Sequence, residues 1–426
     1  MDERIRETLF RVGREHGTPA YVYLIDEIRD RFDALRDAFE GRFDVSYAVK
    51  ANPNAGILTR IRDKVRTLDV SSISEAERAV RLGYRPAALT FSGPAKRPFE
   101  LARAVELGIG EIVCEGEWEI GELDRLAAEA GRRVSIFPRI NPSRTPRKFG
   151  VNMAGRPSQF GMDEEHVDAV LERRDTWRHL DVRGLHIYSG TNSLSEDAIA
   201  ENFEIFIELF ERFAGTHDLR PEKLIFGSGF GIPYVEGEEA LDLSRLASLV
   251  NPQIDSLKEK DRFRATSCVL EMGRWLVGPC GYLMTSVINE KHSRGTDIRL
   301  CDAGFNNHLA ACGMMGSVIR RNWHFTKLNK KSDDPVRPYL LVGPLCTTID
   351  QLAANIELPE LSRGDLLAVD SSGAYGLTAS PTRFISHPDP RELVVSGVGE
   401  DVEVVDVTEW TDNTPAGNVH LPAGSR

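Results

Sequence analysis

Apolar residues recur along the first two-thirds of the chain at two alternating periods. Short runs rich in β-branched and apolar residues predict strands at Val45–Val49, Thr67–Val70, Ala88–Phe91, Glu111–Cys114, Val134–Ile140, Gly184–Tyr188, Leu224–Phe226 and Cys268–Leu270. Helical spacing fills the gaps. Ile28, Phe32, Leu35 and Phe39 share one face of Asp26–Glu40, and further helices are expected at Phe99–Leu107, Trp118–Ala130, His166–Arg174 and Glu201–Phe213. The last of these sets Phe203, Phe206, Ile207, Phe210 and Phe213 along one side. Eight strands separated by helices, without long structureless loops, fit an α/β chain closed into a (β/α)₈ barrel. An open doubly wound sheet is the competing reading that the pattern alone leaves open.

Beyond Gly278 the period changes. Leu283–Ile288 and Asp297–Cys301 flank a polar stretch, Asn289–Thr296, and read as a hairpin. Further strands are expected at Tyr339–Val342, Asp365–Val369 and Thr382–Ser386, so the C-terminal part reads as mostly β. From Asp412 the chain is rich in Pro, Gly and Asn and is expected to fray.

Composition narrows the function. The 426 residues carry 53 Lys and Arg against 65 Asp and Glu, a formal charge of −12 that disfavours nucleic acid and anionic membranes as partners. No run approaches the roughly 18 apolar residues of a membrane helix, and the charged N-terminus lacks a secretion signal. The six cysteines, at 114, 268, 280, 301, 312 and 346, form no C-x-x-C pair and no Cys/His cluster. Free thiols in a reducing compartment, no metal site and a cytoplasmic location are the expectation.

Barrel active sites lie at the C-terminal ends of the strands. The first strand runs into Tyr47-Ala48-Val49-Lys50, placing a lysine at the inner mouth; desolvated there, it would suit a Schiff base, although a lone lysine after a strand is equally a surface residue. The seventh ends in Gly227-Ser228-Gly229-Phe230-Gly231, whose backbone N–H groups could close on an anion, or simply form a turn. The eighth ends in Glu271-Met272-Gly273-Arg274. A carboxylate there could hold a heteroaromatic nitrogen protonated and the arginine could clamp phosphate or carboxylate; a surface ion pair is the plain alternative. Together the three strand ends describe a pyridoxal phosphate site.

Ordered motifs then carry a resemblance: YAVKANPN (47–54), LDVSSISE (68–75), FSGPAK (91–96), RINP (139–142), KFGVN (148–152), GLHIYSGT (184–191), FGSGFGIPY (226–234), EMGR (271–274), CDAG (301–304), PLCTTID (344–350) and GAYG (373–376). Over about residues 20–400 the chain resembles the fold-type III pyridoxal-phosphate decarboxylases of diaminopimelate, ornithine and arginine. The resemblance implies an alanine racemase-like barrel over 22–278, a β-rich domain from 1–21 with 279–411, and a flexible tail at 412–426. It implies that Lys50 carries the cofactor and Glu271 meets the pyridine nitrogen. Gly229, Gly231, Arg274, Thr191 and Tyr375 would hold the phosphate, with Arg274, Thr347 and Tyr375 also near substrate. Cys346 would return a proton to the substrate, reaching in from a partner subunit of a homodimer.

Three departures bear on the substrate. Tyr188 stands where the family stacks a histidine on the cofactor, while His186, two residues earlier, also points inward by strand alternation. Thr347 replaces the acid that binds a distal ammonium in basic-substrate members. The stretch Asn306–Gly313 lacks the arginine that binds a distal carboxylate in diaminopimelate enzymes. A far carboxyl tied up as a thioester satisfies both absences. NNHLAACG, MMGSVIRRN, RPSQFGMD (156–163), PLCTTID and SSGAYGLTASP (371–381) are most similar to the carrier-protein-dependent subgroup typified by the glutamyl-carrier-protein decarboxylase of butirosin biosynthesis. The expected activity is α-decarboxylation of an aspartyl- or glutamyl-type unit on an acyl carrier protein, for antibiotic-type biosynthesis. A decarboxylase of a free amino acid is the nearest rival, followed by an amino-acid racemase and a non-catalytic binder. Arg320, Arg321, Lys327, Lys330 and Lys331, a run without acids, are the expected docking patch for the acidic carrier; a solvated loop is the competing reading.

Overall fold

The computed structural model describes residues 1–146, 149–314, 321–330, 333–399 and 401–409, so Lys148, Arg320, Lys331 and the expected tail at 412–426 lie outside the described residues. The chain divides into two compact units: Arg29–Pro233 with Glu239–Leu276, and Met1–Ile28 with Tyr234–Glu238 and the residues from Val277 onward.

The first unit is the barrel. Its eight strands are Asp44–Ala48, Thr67–Val70, Leu89–Phe91, Glu111–Cys114, Val134–Asn141, Gly184–Ile187, Lys223–Gly227 and Ser267–Met272, each within two residues of its expected limits. All pair in parallel. Ser267–Met272 returns to Asp44–Ala48, and Gly184–Ile187 closes onto Val134–Asn141, so no edge is left open and the doubly wound alternative falls. Closure buries Val113, Phe137, Ile225 and Val269 as one apolar cluster. The phenylalanine face predicted between residues 201 and 213 lies on the long helix Glu196–Thr216. Phe203, Phe206 and Phe210 pack their rings against Phe226 of the seventh strand at centroid distances of 5.4, 6.1 and 5.2 Å. Burying each such ring is worth roughly 2–3 kcal/mol.

The second unit is a mixed sheet of nine strands. Its N-terminal piece runs on past residue 21, because the strand Ala20–Leu24 lies parallel to Arg391–Ser396 and antiparallel to Gly281–Ser293. The helix Glu3–His16, capped by the Asp2 carboxylate on the N–H groups of Arg4 and Ile5, lays Leu9 and Val12 onto Val22, Met284 and Ala368.

Two expectations fail in this unit. The hairpin of Gly281–Ser293 and Thr296–Cys301 turns at Arg294-Gly295 alone, both with positive φ, so most of the stretch expected as a turn is strand. Paired polar residues such as Glu290 and Arg299 extend the ladder into solvent without an apolar pattern to announce it. The expected strand Thr382–Ser386 is instead a tight turn with Phe384–Ser386 in a 3₁₀ segment. Ile385 and Ser386 have φ of 60° and 57°, which extended pairing does not accommodate.

Candidate functional site at the mouth of the barrel

Strand register assembles the barrel mouth. Gly227 lies opposite Glu271, Glu271 opposite Ser46, and Ala48 opposite Asp69. Lys50 follows two residues after Ala48, in the single 3₁₀ turn Val49–Ala51. The eighth strand ends beside that turn because Gly273 has no side chain. A Cβ there would stand 2.7 Å from the Ala51 Cβ, closer than packed carbons come.

The Lys50 amine lies 3.0 Å from Asp69 Oδ2 and 3.5 Å from Glu271 Oε1. Its side chain is 38% exposed, so it is ion-paired and reachable rather than desolvated as the strand-end position suggests. Asp69 and Glu271 are both buried. Burial, and then the Glu271 charge, push the Asp69 carboxyl up to about 6 against the pull of Lys50. The Ser92 hydroxyl donates to the other Asp69 oxygen.

His186 is buried and its Nε2 lies 2.8 Å from Glu271 Oε2. Burial first, and then the charge of Arg139, lower its pKa to about 3, so the ring is neutral. A neutral ring beside a carboxylate donates from Nε2, leaving Nδ1 as an acceptor. That Nδ1 is buried with no hydrogen-bond partner among the described residues. Arg139, the strand neighbour of His186, gives its Nη1 to Glu115 at 2.7 Å, and Glu115 also accepts the Gly161 N–H.

Tyr188 leaves the sixth strand on the same side as His186, with the Arg139 guanidinium 5.9 Å from its ring centroid. A Cβ at Gly227 would fall 2.2 Å from the Tyr188 ring, so the ring lies directly against glycine backbone. Thr191 pairs antiparallel with Val151. Its neighbour Ser193 donates its N–H to Gly229 and accepts that of Gly231. The glycines of the seventh strand end therefore serve close backbone crossing as well as any ligand. Gly229 has φ of 68°, and a Cβ on it would meet Phe149 at 2.5 Å. The N–H groups of Gly229 and Phe230 stay unspent among the described residues. Arg274 opens the short helix Arg274–Val277.

The remaining expected site residues belong to the β-rich unit. Cys346 is the one exposed cysteine of the six; the other five are buried. It and Thr347 sit on a loop shaped by Asp350, whose carboxylate accepts the N–H groups of Leu345 and Phe305 at 2.8 Å each. Gly304 and Gly343 leave room for that carboxylate, since a Cβ on either would come within 2.5 Å of it. Tyr375 has φ of 53°, in a turn tied down by Ser372 and Gly373 N–H groups on Gly281 and Gly278. A left-handed tyrosine stores local strain, which concentrates at functional positions.

The expected docking patch is corrected at Lys327. Lys327 is buried and paired with Asp334 at 2.9 Å and Asp365 at 3.2 Å, acids distant enough in sequence to escape a local count. Arg321 pairs with Glu238. Trp323 packs on Tyr234 and His308, with centroids 4.3 and 4.7 Å away, instead of facing a partner. Lys330 is exposed. Sequence reasoning also passed over Asp69, Ser92, Arg139 and Glu115; the first three sit inside quoted motifs, where a polar residue at a strand end is the only local signal.

Residues 25–278 match the family model described as the pyridoxal binding domain of pyridoxal-dependent decarboxylases. The chain is 32% identical over 380 residues to an L-glutamyl-[BtrI acyl-carrier protein] decarboxylase of Niallia circulans, covering 88% of each chain. It is 30% identical to a diaminopimelate decarboxylase of Pseudomonas aeruginosa, over 97% of this chain and 96% of the relative. The crystal structure of diaminopimelate decarboxylase from Helicobacter pylori complexed with L-lysine superposes with a TM-score of 0.82 at 26% identity, covering 95% of this chain and 97% of that one. The residues fit pyridoxal phosphate: a reachable lysine amine, a buried carboxylate beside it, and a glycine-rich strand end whose Gly229 and Phe230 N–H groups are unspent among the described residues. The chain belongs to the pyridoxal-dependent decarboxylases of fold type III, amino-acid carboxy-lyases that use pyridoxal phosphate.

Proposed function

We propose that this protein removes the α-carboxylate of an acidic amino acid, aspartyl or glutamyl, held through its side-chain carboxyl as a thioester on an acyl carrier protein. The observation that carries this reading is that neither expected distal-group position holds a charged side chain. Thr347 follows Cys346 where an acid would meet a distal ammonium. Asn306, Asn307 and His308, where the segment would offer a cation, are buried, and burial holds the His308 pKa down at about 3, leaving it neutral. The Niallia circulans relative, which acts on a glutamyl carrier protein, supports the same class.

In this reading Lys50 holds the cofactor, Glu271 faces its ring nitrogen, and Tyr188 flanks the ring. Of the barrel residues expected at the phosphate, Gly229, Thr191 and Arg274 would take it, whereas the Gly231 N–H is spent on Ser193. Bound pyridoxal phosphate supplies the electron sink for the breaking carbon–carboxylate bond. Asp69 fixes the lysine amine between two carboxylates. Cys346, contributed by the second copy in a homodimer, delivers a proton to the substrate Cα.

A second reading, decarboxylation of free meso-diaminopimelate or a basic amino acid, is favoured by the diaminopimelate decarboxylases among the relatives. The deciding experiment measures CO₂ release from glutamyl- and aspartyl-carrier thioesters beside free diaminopimelate, ornithine, lysine, arginine and glutamate. Turnover of a carrier thioester with free amino acids at background supports the proposal. Release at ordinary turnover rates, on the order of 1–10³ per second, from any free amino acid overturns it.

A further inference from the structure

The Glu271 carboxylate has two oxygens with different company. Oε1 is turned to Lys50, at 3.5 Å from the amine, and Oε2 lies 2.8 Å from His186 Nε2. A carboxylate on a strand can rotate about its last torsion, and a partner on one oxygen removes that freedom. His186 itself has little freedom, because it is buried inside the barrel on the sixth strand, beside Arg139, which Glu115 holds in turn. We propose that His186 is a positioning residue: its Nε2–H pins Glu271 Oε2 and presents Oε1 on the Lys50 side, where the ring nitrogen of the cofactor would meet it. His186 acts through Glu271 and does not touch substrate.

Electrostatics point the same way. Burial and the neighbouring Arg139 charge keep the imidazole neutral down to a pH of about 3, so its charge does not change in the working range. A neutral donor pins the carboxylate oxygen without setting a positive charge beside it, which a protonated imidazole would do. The orphaned Nδ1 is the cost of this arrangement: nothing on its far side fixes the tautomer among the described residues, so the carboxylate does. Packing alone does not call for a histidine here, since an apolar side chain of similar size would fill the space without an orphaned ring nitrogen.

The role rests on the assignment of Glu271 to the ring nitrogen, and the test separates the two. Apoprotein variants are titrated with pyridoxal phosphate, and both the dissociation constant and the pH dependence of the bound cofactor's absorbance are read. His186→Leu should weaken cofactor binding about 10- to 100-fold, the range for a lost hydrogen bond to a charged group, and shift the absorbance titration. His186→Gln, which reaches with an N–H to about the Nε2 position, should stay within about threefold of wild type, whereas the shorter His186→Asn should follow His186→Leu. In a Glu271→Ala background the further effect of His186→Leu should vanish, because no acceptor for its Nε2–H is left at that position. Equal losses from His186→Leu with and without Glu271, or equal behaviour of the Gln and Asn variants, overturn the positioning role while leaving Glu271 in place. If Glu271→Gln alone leaves affinity and spectrum unchanged, the assignment of Glu271 fails, and the role of His186 with it. The Gln/Asn contrast decides the matter even if His186→Leu does not fold.

Discussion

Asp69→Asn should make the cofactor-free protein more stable at neutral pH while damaging catalysis. The Asp69 carboxyl titrates near 6 in the fold, raised by burial and by Glu271, against 3.8 in the unfolded chain. The sign follows from this ordering. Below pH 4 the carboxyl is protonated in both states and costs nothing. Between 4 and 6 the unfolded chain ionises while the buried group resists, so stability falls as pH rises and the full loss is reached above 6. A separation of about two pH units corresponds to about 3 kcal/mol, and the attraction of Lys50 is already contained in it. Asparagine keeps the shape and the Ser92 contact without the charge, so it escapes the loss. Thermal midpoints of apoprotein, wild type and variant, measured from pH 4.5 to 8, should coincide most closely at the acid end and separate toward neutrality with the variant higher. Turnover of the holoenzyme should drop because the Lys50 amine loses its 3.0 Å partner. A difference between the two melting curves that stays constant across pH would refute the reasoning, because it would mean that Asp69 does not titrate inside this window.

Lys50→Ala should reduce turnover below about a thousandth of wild type and remove the visible absorbance of bound cofactor; retained activity would mean another amine does the work. Gly273→Ala should displace the Val49–Ala51 turn, since its Cβ would overlap Ala51 at 2.7 Å; a stability loss of about 1–3 kcal/mol with disproportionate loss of cofactor affinity is expected, measured by denaturation and cofactor titration. Cys346→Ala should spare cofactor affinity and lower kcat, whereas loss of both would assign the thiol to packing. Thr347→Glu should gain measurable CO₂ release from free lysine or ornithine, and no gain with any diamine-type substrate would remove Thr347 as the discriminator.

The barrel was legible because its strands are mostly apolar and β-branched and its predicted helices carry an apolar side, so burial writes a period into the chain near each element. Lys50 and Glu271 were legible for a related reason: they follow strand ends, and in a closed barrel strand ends converge. What the periods could not show is which distant residues meet. Asp69 becomes the lysine's partner only because Ala48 stands opposite it in the register, and His186 finds Glu271 only after the sheet closes through the seventh and eighth strands. The β-rich unit was less legible, since its hairpin continues through polar residues and its turn at Ile385 depends on a backbone conformation that composition does not announce. The basic run misled for the same cause. Counted locally, Lys327 belongs to an acid-free stretch; in the fold Asp334 and Asp365 come back to it and bury it. Sequence alone determined which side chains must leave water and roughly where the strands end. Tertiary structure decided which charges face one another, because Coulomb and hydrogen-bond energies depend on separations in space that only the closed sheet sets.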